Sequence, residues 1–186
     1  MFIPANMKIT ITSILILAGI SLFAAAADFP QGPGLGKPAT PAEVARWNRE
    51  VWPDGTGLPP GGGTAEQGQA VYVKECLSCH GRGGLGDSGD QLAGAKMGLT
   101  SDYPEKTIGT FWPYAPPLFG FIRRSMPMTA PGSLSDDQVY AVTAYLLYLN
   151  GIIGRDDEMN ATTLPRVRMP NRNGFIDVWS KSQGRD

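Results

Sequence analysis

Cys76-Leu77-Ser78-Cys79-His80 is the stretch that decides the fold of this 186-residue chain. Two cysteines three residues apart lie on one face of a helical turn, so both thiols can reach one edge of a flat porphyrin and add to its vinyl groups as thioethers. The next residue, His80, then points under the ring, where an imidazole nitrogen can bind the iron. C-x-x-C-H spacing is typical of c-type haem attachment. The sequence therefore predicts one covalent haem c.

Other uses of the cysteine pair fit the sequence poorly. A thioredoxin-like C-x-x-C follows a strand in a βαβ pattern, and no such pattern surrounds Cys76. A zinc site needs about four ligands, whereas the chain has only two cysteines and one histidine. A disulfide across two residues is sterically poor. Both thiols are therefore assigned to the haem.

Composition narrows the class of protein. Sixteen basic and 17 acidic residues give a net charge of −1, and the basic residues are scattered, which excludes a nucleic-acid-binding surface. The 24 glycines and 16 prolines predict much irregular backbone. The length suits one modest domain with arms.

Residues 1–27 have the pattern of a signal peptide. Lys8 precedes an uncharged stretch that ends in Ala25-x-Ala27, a typical cleavage site, so Asp28 is the predicted mature start. The alternative is an uncleaved membrane anchor, since the stretch is nearly long enough to span a bilayer. Either way the domain is predicted to be exported, with the bacterial periplasm as its compartment.

Residues 28–63 are predicted to form a Pro/Gly-rich arm. Thr40-Pro41 is a helix start, and a short helix over residues 41–52 would carry two tryptophans. Such a helix is predicted to pack either on the haem domain or on a partner.

Residues 64–151 are predicted to form the haem domain. Thr64 caps the first helix with Gln67 as capping-box partner, and Gly68 indicates close approach of another backbone, that of the last helix. Ser135 caps that last helix and Gly151 ends it. Its apolar residues at helical spacing are Val139, Val142, Leu146 and Leu149.

Aromatic residues cluster between the two helices. Each ring either walls the porphyrin or fills the core, and Trp112 or Tyr114 is predicted to hydrogen-bond a haem propionate. The cluster comprises Phe111, Trp112, Tyr114, Phe119 and Phe121.

The second axial ligand of the iron cannot be histidine, because His80 is the only one. Met126, in a loop directly before the capped last helix, is the leading candidate for iron binding, ahead of Met128 and three other methionines. Composition alone leaves four possibilities for this second ligand: methionine, lysine, water or none.

Arg123 and Arg124 precede Met126 and have two possible roles. They either steer an acidic partner or form a solvated basic pair.

Residues 152–186 are predicted to form an extended C-terminal arm. Its prolines favour extended backbone between residues 164 and 171. The apolar residues Phe175, Ile176, Val178 and Trp179 predict that the arm wraps the domain or a partner subunit.

Several of these motifs together resemble a class I monohaem cytochrome c. That resemblance implies an all-α fold around one haem, with His80 and Met126 as its iron ligands. It rests on Gly68, Tyr72, Cys76-x-x-Cys79-His80-Gly81, Met126-Pro127, Leu134-Ser135-Asp136 and Tyr145-Leu146. The family usually has Pro-x-Leu after the haem motif, whose carbonyl orients the histidine. Here Gln91-Leu92-Ala93-Gly94 lies in that region without proline, so the hydrogen-bond partner of His80 is left open.

Most of the mature chain is further similar to the cytochrome subunits of Sox sulfane dehydrogenases and sulfite dehydrogenases. The similarity rests on segments 40–43, 54–61, 104–109, 111–115, 140–150 and 164–171. It implies a partner molybdenum-cofactor subunit that oxidises a sulfur compound, and a downstream cytochrome or oxidase, with no catalytic site on this chain. Some members carry two haems, whereas this chain has one C-x-x-C-H.

The alternative function is a five-coordinate haem sensor or small haem enzyme with an open distal site, which requires that no methionine bind. A purely structural or assembly subunit would carry no reducible haem. The sulfur-to-iron charge-transfer band of the oxidised protein separates these classes.

Overall fold

A computed structural model describes residues 35–176 and residue 178 of the chain. It divides the chain into two units, Met1–Thr40 and Pro41–Asp186. In the first unit the described residues, 35–40, are irregular and exposed. The predicted signal peptide and Trp179 lie outside the described residues. Within the described ranges, no helix has both the length and the apolarity needed to cross a membrane.

The second unit contains six α-helices and two short strands among its described residues. In chain order they are α1 Pro41–Trp47, β1 Gly62–Thr64, α2 Ala65–Glu75, α3 Leu77–His80, α4 Ile108–Phe111, α5 Ala115–Ser125, α6 Asp136–Leu149 and β2 Glu158–Asn160. Two single 3₁₀ turns, Arg82–Gly84 and Leu164–Arg166, complete the described elements.

The first and last helices of the haem domain cross at Gly68, as the sequence predicts. A Cβ atom at Gly68 would lie 1.8 Å from the carbonyl oxygen of Ala141 on α6, and one at Gly63 would lie 2.6 Å from the Ala141 side chain. The ring of Tyr72 packs at 5.3 Å from that of Tyr145 beside this crossing. The C-x-x-C-H turn follows α2 directly, so the packed α2–α6 pair holds this turn in position.

Both helix starts carry reciprocal capping, which the sequence predicts at Thr64 and only as a single cap at Ser135. The Thr64 hydroxyl accepts from the Gln67 amide while the Gln67 side chain accepts from the Thr64 amide. Ser135 and Gln138 form the same capping box on α6, a partner that the sequence reading did not include. Because each box satisfies two otherwise free N–H groups, both helix starts are fixed.

Helix α6 runs through the centre of the core. Nine of its residues, Val139 to Leu147, are buried. The Phe119 ring from α5 lies 4.3 Å from that of Tyr140, and both rings are fully buried. A helix buried on all sides is expected only where other elements cover each face.

The N-terminal arm joins this core, but its helix is shorter than predicted. The prediction of a helix to Trp52 is wrong, since α1 ends at Trp47 and the described side chains of α1 are exposed. Arg124 donates to the carbonyl oxygen of Arg49, and Val51 is buried against Gly120. These tertiary contacts pull residues 49–51 out of helical geometry and anchor the arm through Val51 rather than through the tryptophans.

The two arms also pair with each other, which the sequence did not predict. Strand β1 lies antiparallel to β2, with Gly63 opposite Met159. Downstream of β2, Leu164, Val167 and Met169 are buried in the same core. The C-terminal arm therefore wraps the domain, and a small two-stranded sheet is added to an otherwise helical fold.

Candidate haem site

The C-x-x-C-H motif lies on a short helix at the mouth of a cavity of about 540 Å³. Helix α3 covers residues 77–80, and Cys76 lies at the junction with α2 outside helical geometry. The His80 amide donates to the Cys76 carbonyl at 2.9 Å, which closes one turn across the motif. Both thiols are free, and Cys76, Cys79 and His80 line the cavity together.

The residues around this cavity suit a haem. Its volume falls in the range of ligand and cofactor cavities, about 300–1,000 Å³. Six aliphatic residues line it: Leu92, Ile108, Leu118, Ile122, Val142 and Leu146. Two thiols, one imidazole and two thioethers reach it from the chain. This donor set, around an apolar cavity, is what covalent haem attachment requires.

A backbone carbonyl orients His80. Its Nδ1 lies 2.7 Å from the carbonyl oxygen of Asp90. A carbonyl only accepts, so Nδ1 carries the proton and the lone pair of Nε2 is left for a metal. The hydrogen-bond partner of His80, which the sequence left open, is therefore the carbonyl of Asp90. Asp90 lies two residues before Leu92, at the place of the proline in the Pro-x-Leu segment that the family usually has.

Gly89 makes room for the imidazole. A Cβ atom there would lie 3.2 Å from both Cε1 and Nδ1 of His80, and 3.1 Å from the Cys79 carbonyl oxygen. The Gly89 amide donates to that same carbonyl at 2.7 Å. The loop therefore approaches the haem motif closely on the side that holds the histidine.

A buried tyrosine fixes the other end of the motif. The Tyr72 hydroxyl donates to the Gly81 carbonyl at 2.8 Å, directly after His80. Burial raises the pKa of Tyr72 to about 12, so the phenol stays neutral and keeps its proton for this bond. The Asp90 carbonyl thus orients the imidazole, and Tyr72 fixes the backbone at the next residue, Gly81.

The electrostatics of Cys76 argue against redox use of the thiols. Burial, aided by the Glu75 carboxylate, raises the pKa of the Cys76 thiol to about 11. A dithiol that exchanges disulfides needs a lowered thiol pKa, because the thiolate is the nucleophile. The pair is therefore unlike a thioredoxin-type centre.

Two methionines line the cavity, and their burial differs. Met126, which directly follows α5, is partly buried against the hydrophobic core, and its amide donates to the Ile122 carbonyl at 2.9 Å. Met128 is 77% exposed. Met97, Met159 and Met169 do not line the cavity, and the last two are core residues. The structure thus brings Met126 together with His80 in a fixed position.

Of the two rings predicted to contact the haem, the structure brings one to the cavity. Trp112 lines it together with Phe121, their ring centroids 5.9 Å apart. Tyr114 is not among the lining residues, and its ring lies instead under the guanidinium of Arg172 at 5.0 Å. Ser88 and Thr129, which no sequence motif marks, also line the cavity and carry hydroxyl groups.

Arg123 and Arg124 make contacts within the chain and do not line the cavity. Arg123 forms a two-point ion pair with Asp136 at the start of α6, with the shorter contact at 2.8 Å. Arg124 reaches the Arg49 carbonyl and the Glu50 carboxylate. These arginines therefore tie α5 to α6 and to the N-terminal arm.

A helical frame, a C-x-x-C-H turn and an apolar cavity define a c-type haem protein of the electron-transfer class. Comparison with known families agrees with the geometry: residues 65–150 match the family model described as Cytochrome c. The chain belongs to the cytochrome c family and carries covalent haem c.

One solved structure is similar over most of the chain. It is the crystal structure of the sulfane dehydrogenase SoxCD from Paracoccus pantotrophus, one chain of which is 40% identical with a TM-score of 0.73. The match covers 82% of this chain and 76% of that one. No curated protein sequence gives a significant match.

Proposed function

We propose that this protein is an exported electron-transfer subunit in which His80 and Met126 bind the haem iron. The observation that carries this proposal is the shared cavity: Cys76, Cys79, a carbonyl-oriented His80 and a partly buried Met126 all line it. When bound, haem c supplies a one-electron ferric/ferrous couple.

Residues of the chain determine the reduction potential of that couple. His80 presents Nε2 because Asp90 holds Nδ1–H. Met126 offers a soft thioether, which favours ferrous iron, and the aliphatic wall excludes water and disfavours the charge of the ferric state. Both effects raise the reduction potential. If His80 and Met126 both hold the iron, the haem would offer no open coordination site for substrate chemistry and would serve to carry single electrons.

The ligand assignment is tested by comparing three methionine variants of the purified holoprotein. Met126→Ala is expected to abolish the weak red-region sulfur-to-iron charge-transfer band of the oxidised form and to permit carbon monoxide binding to the reduced form. Met128→Ala tests the second methionine of the cavity, and Met97→Ala, which does not line it, is the control. If the band survives in Met126→Ala but is lost in Met128→Ala, the ligand is Met128.

The proposed electron donor is a molybdenum-cofactor subunit that oxidises sulfite or sulfane sulfur. The support is the similarity to a chain of sulfane dehydrogenase SoxCD. Electrons would leave to a further cytochrome or an oxidase. The test is purification of the native protein from the periplasmic fraction, followed by a molybdenum assay and addition of sulfite or sulfane-sulfur donors. A haem that stays oxidised in a fraction containing its co-purified partners would contradict this donor.

Export to the periplasm is proposed because covalent haem attachment and residues 1–27 both agree with it. N-terminal sequencing of the periplasmic protein is expected to begin at Asp28. Recovery only in detergent-solubilised membranes, with the leader intact, would instead identify an anchored form.

A further inference from the structure

Residues 159–176 of the C-terminal arm carry only positive charge, although Asp156, Asp157 and Glu158 directly precede them and the arm as a whole, residues 152–186, has six basic and five acidic residues. Between Met159 and Ile176 there are three arginines, Arg166, Arg168 and Arg172, and no acidic residue, although the whole chain has a net charge of −1. All three arginines are exposed, and none forms an ion pair with any residue within 35–176 or with residue 178.

This charge is held in place by buried neighbours. Leu164, Val167 and Met169 are buried in the core and alternate with the exposed arginines. Arg172 is further positioned over the Tyr114 ring at 5.0 Å. The three positive charges are therefore carried by backbone that is anchored to the haem domain, and fixed charges attract an oppositely charged partner more effectively than mobile ones.

Aromatic rings connect this surface to the haem cavity. Phe175 contacts Phe111 at a centroid distance of 5.7 Å, Phe111 contacts Trp112 at 6.3 Å, and Trp112 contacts Phe121 at 5.9 Å. Trp112 and Phe121 line the cavity. These four residues, the aromatic row, form a packed path from the cavity to Phe175, which is 56% exposed.

The outer end of the aromatic row lies in an apolar patch with a basic edge. Ile176 and Val178 follow Phe175 and are also largely exposed. Lys106 lies 5.8 Å from the Phe111 ring centroid and has no ion-pair partner in the part of the chain that the structure describes. An exposed apolar centre with a charged rim is the usual anatomy of a protein–protein interface.

We infer that this surface docks a redox partner protein with an acidic-rimmed apolar face, and that the electron passes along the aromatic row. The inference rests on the proposed electron-transfer function and specifies the partner's chemistry. One electron moves from the partner's reduced cofactor to the ferric haem; no bond or proton is exchanged. Steering of an acidic partner, one of the two roles that the sequence left open for Arg123 and Arg124, is thereby carried by Arg166, Arg168 and Arg172.

Docking is tested with dithionite-reduced flavodoxin, a small one-electron donor with an acidic surface, in stopped-flow reduction of the holoprotein. The net charge of −1 alone would make the rate rise with salt, because two anions repel. A local basic surface instead predicts a rate that falls with salt. Replacing Arg166, Arg168 and Arg172 by glutamine is expected to slow the low-salt reaction about tenfold or more.

The matched control is Arg155→Gln, which removes an exposed arginine that pairs with Glu66 and lies outside residues 159–176. It is expected to leave the low-salt rate within about twofold of wild type. A wild-type rate that rises with salt, or a triple variant as fast as wild type, would overturn the docking surface.

The path is tested separately with Phe175→Leu, which keeps an apolar side chain but removes the ring. The first-order rate at saturating flavodoxin is expected to fall while the salt dependence stays unchanged. An unchanged saturating rate would exclude the aromatic row. Because flavodoxin is not a sulfur dehydrogenase, these results stand apart from the sulfite test: either can fail while the other succeeds.

Discussion

Gly68→Ala gives the sharpest test of how the haem domain is assembled. In an isolated helix this substitution would stabilise by about 1 kcal/mol, because glycine is a poor helix former. In the folded protein the added Cβ atom would lie 1.8 Å from the carbonyl oxygen of Ala141 and 2.8 Å from the Cβ atom of Tyr145. The variant is therefore expected to lose stability despite its higher helix propensity.

The magnitude follows from the geometry. Ordinary contact begins near 3.4 Å, so α2 and α6 must separate by about 1.6 Å at this point. Overpacking costs about 1–3 kcal/mol. The upper end applies here because the contacted atom, the carbonyl oxygen of Ala141, belongs to a helix backbone and cannot rotate away. After subtracting the propensity gain, the net loss is about 2 kcal/mol, which lowers the melting temperature by about 4–8 °C.

The assay is urea denaturation of the purified holoprotein followed by far-UV circular dichroism. Gly98→Ala is the matched control, since a Cβ atom there meets nothing within 4 Å and the backbone is not in the left-handed region. It is expected to change the free energy of unfolding by less than about 0.5 kcal/mol. A Gly68→Ala protein as stable as wild type, or more stable, would refute the close helix crossing.

Three further predictions concern buried polar groups. The Thr143 hydroxyl is buried without a hydrogen-bond partner among the described residues, so Thr143→Val is expected to stabilise by about 1 kcal/mol in urea titrations. Asn150 accepts from the Gly109 amide and donates to the Leu92 carbonyl, so Asn150→Ala is expected to destabilise by about 1–3 kcal/mol in the same assay. Burial raises the pKa of Tyr72 to about 12, above its unfolded value near 10, so its contribution to stability is constant below pH 10 and is lost towards pH 12. Burial raises the pKa of Tyr140 in the same way, so Tyr72→Phe should reduce the fall without abolishing it when unfolding is compared at pH 8 and 11.

Local signals predicted the helix pair well. Thr64 with Gln67, Ser135 and Gly151 mark helix ends through contacts within a few residues, so the sequence alone carries that information. Gly68 was informative for a different reason: a glycine inside a helix is costly, and its cost indicates that another backbone lies against it.

Features that depend on distant contacts escaped prediction. Helix α5, which has Pro116 and Pro117 in its first turn, was not among the predicted helices, although proline is tolerated in the first turn of a helix. The β1–β2 pair joins residues almost a hundred positions apart, and no local pattern in Gly62–Thr64 signals it. Tyr114 was a plausible haem contact by composition, but its position under Arg172 depends on where the C-terminal arm folds back.

Asp90 shows why a motif can be absent while its function is kept. The group that orients His80 is a backbone carbonyl, which every residue has, so proline is not required for the hydrogen bond at 2.7 Å. The chain must only bring that carbonyl to the imidazole, and the lack of a side chain at Gly89 allows the approach. A bulkier residue at position 89 should therefore disturb the axial ligand more than a change at Asp90. Gly89→Val is expected to alter the spectrum of the oxidised haem, whereas Asp90→Asn should leave it unchanged; the reverse result would show that the Asp90 side chain, and not the backbone, holds the histidine.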